Sequence, residues 1–277
     1  MLKVDLHCHS NVSDGVLAPA AVAQHAREAG VDVWALTDHD EVGGVAAARA
    51  AARALGMQFV SGVEISITWA RETVHIVGLQ LDETNPALLA GLARTRSGRD
   101  ARGREMAAQL AAVGIPDAYE GALKYVGNPD LMSRTHFARY LIEIGACANV
   151  PDVFKKYLTE GKPGYVPHSW ASLTDAVGWI RGAGGIAVIA HPGRYKFNQL
   201  AQGALFDEFK QLGGKAIEVV TGSHTPEQYA VYAQLANQYG FLASRGTDFH
   251  APGEARVDFA QLPPLPANVT PVWHDWF

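Results

Sequence analysis

Histidine and carboxylate side chains recur where the predicted strands of this chain end. His7 and His9 follow the first strand, and residues two apart share one face of an extended chain. Glu64 ends the third predicted strand and His191 ends the fifth. A buried carboxylate is costly unless it is paired or bound to a metal. This repetition predicts a metal site rather than separately satisfied core histidines.

The full set of candidate ligands has six histidines and three carboxylates. Its members are His7, His9, Asp14, His39, Glu64, His75, His191, Asp248 and His250. Imidazole and carboxylate without thiolate are typical of catalytic Mn²⁺, Fe²⁺ or Zn²⁺ sites. The set is too large for one ion, and three divalent ions would carry more charge than three carboxylates remove. The excess suits a hydroxide and a phosphate group, so the charge balance predicts phosphoester hydrolysis.

Composition limits the classes of protein to which the chain can belong. The 277 residues are 48% hydrophobic and 18% charged, which excludes a disordered chain or a coiled coil. A net charge of −5 argues against binding to long nucleic acid or to an anionic membrane. The two cysteines, Cys8 and Cys147, exclude a disulfide framework and favour a reducing compartment. With no long apolar run and no signal peptide, we expect a cytoplasmic protein.

The order of predicted elements indicates an α/β fold with one helical insertion. Helical segments separate most of seven predicted strands, at 3–7, 33–37, 59–64, 74–81, 186–190, 216–220 and 241–244. This alternation favours a parallel barrel over an open sheet, with the candidate ligands at its C-terminal rim. From about residue 86 to residue 167 only helices are predicted, including one long helix over 86–113. We therefore expect a barrel of residues 1–85 and 168–277, and a substrate cap of residues 86–167 inserted after the fourth strand.

Seven short motifs, taken in order, resemble the PHP (polymerase and histidinol phosphatase) phosphoesterases. They are HCHS, SDG, TDHD, GVE, a histidine within a strand, AHP and GTDFH. The resemblance implies a distorted seven-stranded (β/α) barrel with two to three divalent ions, Mn²⁺ being favoured. It implies that His7, His9, Glu64 and Asp248 hold one ion, that Glu64 bridges to a second ion held by His75 and His191, and that Asp14, His39 and His250 hold the third. Glu64, His191 and Asp248 are the expected catalytic residues.

The insertion resembles a short, stand-alone bacterial branch of that family. Members of this branch remove the 3′-phosphate of nucleoside 3′,5′-bisphosphates, or trim short RNA from its 5′ end. The residues that suggest this branch, and that we expect to bind substrate, are Ser133, Arg134, His136, Arg194 and His224. An arginine fork binds phosphate in a bidentate manner, so Arg134 and Arg194 are expected to hold the phosphate that is not cleaved.

Other functions stay open at this stage. A 5′–3′ exoribonuclease on short 5′-phosphorylated RNA needs the same motifs. Histidinol phosphate would call for an acidic pocket instead of paired arginines. An amidohydrolase commonly uses a carboxylated lysine, and no lysine here ends a mid-chain strand. A non-catalytic module serving a polymerase would be expected beside a polymerase-length sequence. The expected partner is thus a small nucleotide or a short RNA, with no membrane.

One basic run has two interpretations. Five arginines lie between residues 94 and 104, and they indicate either a solvated helix face or a basic approach for an oligonucleotide. No aromatic residue interrupts the run, which favours the solvated face. Trp170 is the kind of residue that stacks on a nucleobase, although tryptophan is also common in ordinary packing.

Overall fold

Seven strands form one sheet in which strand order follows chain order. A computed structural model of the chain describes residues 2–254 and 256–276. The strands are β1 (Val4–Asp5), β2 (Val33–Leu36), β3 (Gln58–Trp69), β4 (Glu72–Leu79), β5 (Ile186–Ile189), β6 (Ala216–Thr221) and β7 (Leu242–Gly246). The amide of Leu6 donates to Arg245 O at 3.0 Å, and the amide of His9 donates to Phe249 O at 2.8 Å. These bonds join the first segment to the last, so the sheet nearly closes and the predicted distorted barrel is confirmed.

The fourth strand runs against the others, which corrects the expectation of a uniformly parallel barrel. β4 is antiparallel to both β3 and β5, whereas the other pairs within the sheet are parallel. A tight turn joins β3 to β4, with Ala70 and Arg71 in the left-handed region at φ of 47° and 69°. Such a turn reverses the chain at once, so no crossover helix is needed. The reversal brings the start of β4, where His75 lies, to the rim formed by the ends of the other strands.

Ten α-helices surround the sheet or build the insertion within the described residues. Those around the barrel are α1 (Pro19–Glu28), α2 (Val45–Ala54), α8 (Leu173–Gly182), α9 (Gln199–Gln211) and α10 (Pro226–Tyr239). Between β4 and β5 lie α3 (Pro86–Arg96), α4 (Arg99–Ala111), α5 (Ala118–Leu123), α6 (Arg134–Glu143) and α7 (Val150–Val153), with a π-helical turn at Phe154–Leu158. No helix among the described residues is long and apolar enough to span a bilayer.

The long helix predicted over 86–113 is two helices. Gly98 adopts a φ of 89°, and this left-handed conformation interrupts the helix between α3 and α4. α3 packs on the barrel helix α8, where Gly91 leaves room for the ring of Trp179. The later helices bury their own apolar core, which runs from Met106 to Val166 and is separate from the barrel clusters. The break re-aims α4, so that its first turn faces the rim of the barrel.

Alternation along the strands sorts the barrel core into two layers. In β2, Val33 and Ala35 pack with apolar residues of other strands inside the barrel. Trp34 and Leu36 point the other way and pack under α1 and α2. Cys8 joins this outer layer, where its Sγ receives a hydrogen bond from Trp34 Nε1 at 3.1 Å. Cys8 is therefore a core residue, as its position between His7 and His9 predicts.

Gly246 permits the close approach of β7 to His7, and this contact is testable. A Cβ at residue 246 would lie 2.3 Å from His7 Cβ. We expect Gly246→Ala to lower the melting temperature by about 2–10 °C, because overpacking costs roughly 1–3 kcal/mol. Gly178→Ala, on an exposed turn of α8 with nothing within 4 Å, is the matched control and should be neutral or slightly stabilising. Equal thermal melts of the two variants would contradict this role of Gly246.

Candidate metal centre and substrate pocket

The nine candidate ligands converge at one end of the barrel. Most of them follow the C-terminal ends of parallel strands, and His75 joins them because β4 is reversed. His191 and Asp248 adopt positive φ values of 28° and 56°, a conformation that costs energy for residues other than glycine. The strained backbone at these two strand ends turns both side chains toward the same point as the others. The structure thus brings together every residue of the predicted set.

Glu64 is the hub of this cluster. Its side chain is fully buried, and its two carboxylate oxygens contact five imidazoles. The distances from a Glu64 oxygen are 3.3 Å to His7 Nε2, 3.3 Å to His9 Nε2, 2.9 Å to His39 Nδ1, 2.9 Å to His75 Nδ1 and 3.1 Å to His191 Nε2. A carboxylate surrounded in this way has the position of a bridge between ions.

Three overlapping groups within the cluster have metal-ligand spacing. In each group, one possible ligand atom per residue lies within 4.8 Å of all the others. The groups are His7, His9, Glu64 and Asp248; His9, Asp14, His39 and His250; and His39, Glu64 and His75. The first equals one predicted ion site, and the second is the predicted third site with His9 added. In the last group His39 stands where the resemblance implies His191, which lies beside Glu64.

The unpaired atoms of the cluster fit divalent ions. Buried polar atoms without a hydrogen bond include His9 Nδ1, Asp14 Oδ1, His39 Nδ1, Glu64 Oε2 and His191 Nδ1. His39 Nδ1 and Glu64 Oε2 lie only 2.9 Å apart, yet they are not aligned as donor and acceptor. Orphaned buried groups are rare because each one costs about 1–3 kcal/mol. Atoms that crowd together without bonding to one another are arranged to share a third partner, and this donor set suits a cation.

Two groups of the cluster, Glu64 and His9, have pKa values that suit metal binding. Burial raises the pKa of Glu64, but the charges of His75, His39 and His7 outweigh it and hold this pKa well below its usual range. Burial and the neighbouring charges of His250 and His39 lower the pKa of His9 to about 3. A metal ligand must be an ionised carboxylate or a neutral imidazole. At neutral pH, Glu64 and His9 are both in that form. Burial lowers the pKa of His39, but the charges of Glu64 and Asp14 outweigh it and raise this pKa to about 9, so a metal ion would displace a proton from His39.

Two buried carboxylates orient the ligands, and the sequence analysis missed both. Glu218 accepts a hydrogen bond from His7 Nδ1 at 2.8 Å and another from the amide of His191 at 2.6 Å. Asp38 accepts from Ser10 and Ser13 in the loop that carries Asp14. Such outer partners fix the tautomer and the direction of a ligand. A lone carboxylate inside the apolar strand AIEVVT was the available signal for Glu218.

The predicted substrate residues Ser133 and His136 lie at the start of α6, beside the cluster. His136 is fully buried, and its Nδ1 accepts from the amide of Ser133 at 3.0 Å in a capping box. Ser133 Oγ lies 3.3 Å from Asp14 Oδ2. These contacts give Ser133 and His136 structural partners in the helix cap and in a candidate metal ligand.

His224 is enclosed by the protein. Its Nε2 accepts from the amide of Gly193 at 2.9 Å, and its Nδ1 faces Val219 O at 3.2 Å. The ring is fully buried and stacks on Tyr232. Because both nitrogens are engaged, this geometry favours a role in holding the turn before Arg194 rather than the predicted direct contact with substrate.

Arg134 and Arg194 line the same cavity but come from different parts of the chain. Arg194 is half-exposed, and its Nη1 lies 3.1 Å from Asp248 Oδ2, at the metal-ligand cluster. Arg134 lies on the insertion, with its guanidinium carbon 5.5 Å from the ring of Phe154. The sequence predicts one shared role for this pair, on the phosphate that is not cleaved. In the structure Arg194 pairs with a candidate ligand, whereas Arg134 has an aromatic neighbour in the insertion and no carboxylate partner among the described residues.

Arg99 and Arg102 are further pocket residues, and the favoured interpretation of their run as a solvated face was wrong for both. They are 4% and 9% exposed and line the cavity together with Arg134. Arg99 pairs with the buried Asp40, and its guanidinium carbon lies 4.4 Å from the centre of the Trp170 ring. Arg102 Nε donates to Val166 O at 3.0 Å. The break at Gly98 turns the N-terminal end of α4 inward, and the local sequence does not indicate this direction.

Comparison with known proteins relates the whole chain to enzymes. The family model described as "PHP domain" matches residues 5–221. A Chromobacterium violaceum protein named 3′,5′-nucleoside bisphosphate phosphatase is 50% identical over 275 residues, which cover 99% of this chain and 96% of the relative. An Escherichia coli protein named 5′-3′ exoribonuclease Rnm is 39% identical over 274 residues, covering 98% and 93%.

A solved structure has the same fold over nearly the full length. It is described as an amidohydrolase from Chromobacterium violaceum with bound sulfate and no metal. It superposes with a TM-score of 0.96 at 50% identity, covering 99% of this chain and 95% of the other. The arrangement of strands and insertion described above is therefore shared with that protein.

Loss of the Glu64 charge should empty the centre. Glu64→Gln keeps the size of the side chain and removes the charge that faces five imidazoles, so we expect metal affinity to fall by more than the roughly 10–100-fold typical of an outer partner. Metal content after dialysis, together with hydrolysis of an aryl phosphate, measures the effect.

Chelator treatment of the wild type should abolish the same hydrolysis, and Mn²⁺ should restore it. The control for Glu64→Gln is Glu143→Gln, which changes an exposed carboxylate on the insertion and should leave metal content and turnover unchanged. Full turnover by metal-free enzyme would contradict a metal centre at Glu64.

Proposed function

The chain belongs to the PHP-domain family, and from that premise we propose that it is a metal-dependent phosphatase that removes the 3′-phosphate of nucleoside 3′,5′-bisphosphates. The products would be a 5′-mononucleotide and inorganic phosphate. The observation that carries the proposal is one cavity lined both by candidate metal ligands and by three arginines of the insertion, which gives it two kinds of site for an anion.

The size and lining of the cavity suit one nucleotide. Its volume is about 470 Å³, within the range of small-molecule sites. The lining includes five candidate ligands, Asp14, His39, His75, Asp248 and His250. Three arginines of the insertion also line the cavity and lie near one another, and we call Arg99, Arg102 and Arg134 the arginine wall. The apolar residues Val150, Pro151 and Phe154 contribute as well. A nucleoside with phosphates on its 3′ and 5′ oxygens offers groups that match all three kinds of lining residue.

The charges on the arginine wall call for an anion. Only Arg99 has a carboxylate partner among the described residues, and Arg102 and Arg134 have none. Burial and the nearby charges of Arg134 and Arg99 lower the pKa of Arg102 to about 10, which shows that its charge is poorly compensated. A phosphate dianion would offset the two guanidinium charges of Arg102 and Arg134 through bidentate hydrogen bonds. We therefore assign the 5′-phosphate to this wall.

The reacting 3′-phosphate belongs at the ligand cluster. Divalent ions held by the nine residues, with Mn²⁺ favoured and Fe²⁺ or Zn²⁺ as alternatives, would activate water and stabilise charge on the phosphoryl oxygens. Glu64, His191 and Asp248 remain our proposed catalytic residues, since each would bind such an ion. Arg194 Nη1 lies at Asp248, where it would contact the phosphoryl group once Asp248 binds metal. The chain thus holds one phosphate and orients the other.

An exoribonuclease activity would use the same bond. Cleavage between the 3′-oxygen and phosphorus releases a 5′-mononucleotide, whether that phosphorus is terminal or joined to a following nucleotide. Two relatives at about 40% identity are named 5′-3′ exoribonucleases, which favours this second activity. The amidohydrolase alternative has less support, because no lysine lines the cavity among the described residues. With both cysteines free, we further propose a cytoplasmic location.

Substitution of Arg134 should separate substrates that carry a second phosphate from those that do not. We expect Arg134→Ala to raise KM for a nucleoside 3′,5′-bisphosphate by about tenfold to hundredfold, since a charge-assisted hydrogen bond contributes about 1.5–3 kcal/mol. KM for an aryl phosphate should change little, because that substrate has no remote phosphate.

Steady-state kinetics on both substrates measures this selectivity, with Arg194→Ala as the comparison. Removal of Arg194 should weaken both reactions, because its guanidinium lies beside Asp248. Equal losses on both substrates with Arg134→Ala would contradict its assignment to the second phosphate. Absence of bisphosphate hydrolysis by the wild type would contradict the proposed function itself.

A further inference from the structure

We propose that Arg139, on helix α6 of the insertion, is a positioning residue that assembles the ligand group of His9, Asp14, His39 and His250. Without its guanidinium this group would lose its divalent ion, while the rest of the cluster keeps its ions. The inference rests on the metal-dependent function proposed above. It concerns a residue that touches no candidate ligand side chain and that no motif of the sequence singles out.

A single buried guanidinium joins two loops of the barrel. Arg139 is 6% exposed, although arginine is normally a surface residue. Its Nη1 donates to the backbone oxygen of Asp14 at 2.7 Å. Its Nε and Nη2 donate to the two carboxylate oxygens of Glu254, both at 3.0 Å. A buried charge is retained only where it is well paired, and here the pairing is bidentate.

These two loops carry the ligands of the group. Asp14 lies in the loop after β1, and Glu254 lies four residues beyond His250 in the loop after β7. Asp14 Oδ1 and His250 Nε2 are 3.3 Å apart. The loops also meet directly, where the amide of Val16 donates to His250 O at 2.9 Å. Arg139 therefore fastens, from outside the barrel, the two segments that must stay together for Asp14 and His250 to face one ion.

Helix α6 also reaches the Asp14 side chain. Ser133 Oγ, at the N-cap of the helix, lies 3.3 Å from Asp14 Oδ2. Helix α6 thus contacts Asp14 twice: Arg139 binds its backbone oxygen, and the N-cap residue Ser133 lies beside its carboxylate. A ligand on a turn, without a strand to hold it, depends on such outer contacts for its direction.

The other ligands have support within the barrel. Glu64 and His75 lie on strands that pair with each other, and Glu218 of β6 holds His7 and His191. None of these four contacts the insertion through a hydrogen bond or ion pair among those described. Loss of Arg139 should therefore affect one ion selectively rather than the whole centre.

The arrangement has a consequence for the insertion. α6 carries Arg134 toward the substrate cavity and Arg139 toward Asp14, five residues apart on one helix. The helix that we assign to the 5′-phosphate is then also the helix that completes the third ligand group. Docking of the insertion and binding of that ion would stabilise each other.

Metal counting on the intact enzyme tests the proposal without any substrate. Wild type, Arg139→Met and Arg139→Lys are dialysed against limiting Mn²⁺, and bound manganese is measured by inductively coupled plasma mass spectrometry and by titration followed by electron paramagnetic resonance. We expect Arg139→Met to lose about one ion per chain. A lysine at this position can still donate to Asp14 but cannot bind both Glu254 oxygens. Arg139→Lys should therefore lower the affinity for that ion by about tenfold.

A matched control and a milder variant keep the test decisive. Lys124→Met removes an exposed cation of the insertion that pairs with Glu143, and it should leave the metal count unchanged. If circular dichroism shows that Arg139→Met does not fold, Glu254→Gln takes its place in the test. This variant breaks only the bidentate pair and should lower the affinity for the same ion.

Three results would overturn the inference. The first is a wild-type number and affinity of ions in folded Arg139→Met, or in Glu254→Gln if that variant replaces it. The second is the loss of all ions together in a folded variant. The third is the absence of an ion at His9, Asp14, His39 and His250 in the wild type. A failure of the bisphosphatase function alone would show in turnover and would leave the ion count as predicted here.

Discussion

The structure depends on a set of buried polar atoms that have no adequate partner in the protein. Glu64 contacts five imidazoles with two oxygens. Its Oε2 and the facing His39 Nδ1 make no hydrogen bond, and neither do the Nδ1 atoms of His9 and His191. In a metal-free protein such crowding is unfavourable, because each unpaired buried group costs free energy. Divalent cations remove this cost, and they explain why a strained backbone is retained at His191 and Asp248.

The barrel assembles this cluster of polar atoms by bringing the strand ends to one rim. Parallel strands deliver most ligands there, while the reversed strand β4 delivers His75 from its beginning. Outer carboxylates then fix the direction of the ligands, with Glu218 spanning His7 and His191. The insertion adds arginines to the same cavity, so its lining combines cationic side chains with candidate ligands for cations. A molecule with two phosphates is complementary to both.

The sequence predicted which residues lie together in the ligand cluster, because they sit at strand ends that any barrel of this kind must bring together. It predicted β4 as one more parallel strand, since nothing in the apolar pattern of a strand records its direction. Arg99 and Arg102 were harder still, because they look like any solvated helix until the break at Gly98 turns them inward. The partners of Arg139 and His224 lie more than thirty residues away or in the backbone, and only tertiary structure reveals such contacts.

Phosphorus NMR of the turnover of a nucleoside 3′,5′-bisphosphate by the Mn²⁺-loaded enzyme would show which phosphate reacts. We propose that the cavity distinguishes the two, with the reacting phosphate at the ligand cluster and the retained one at the arginine wall. This placement predicts inorganic phosphate and a 5′-mononucleotide as the products, with a 3′-monophosphate nucleotide a poor substrate because it lacks the retained group. Accumulation of the 3′-mononucleotide, or equal turnover of substrates with and without the 5′-phosphate, would contradict it.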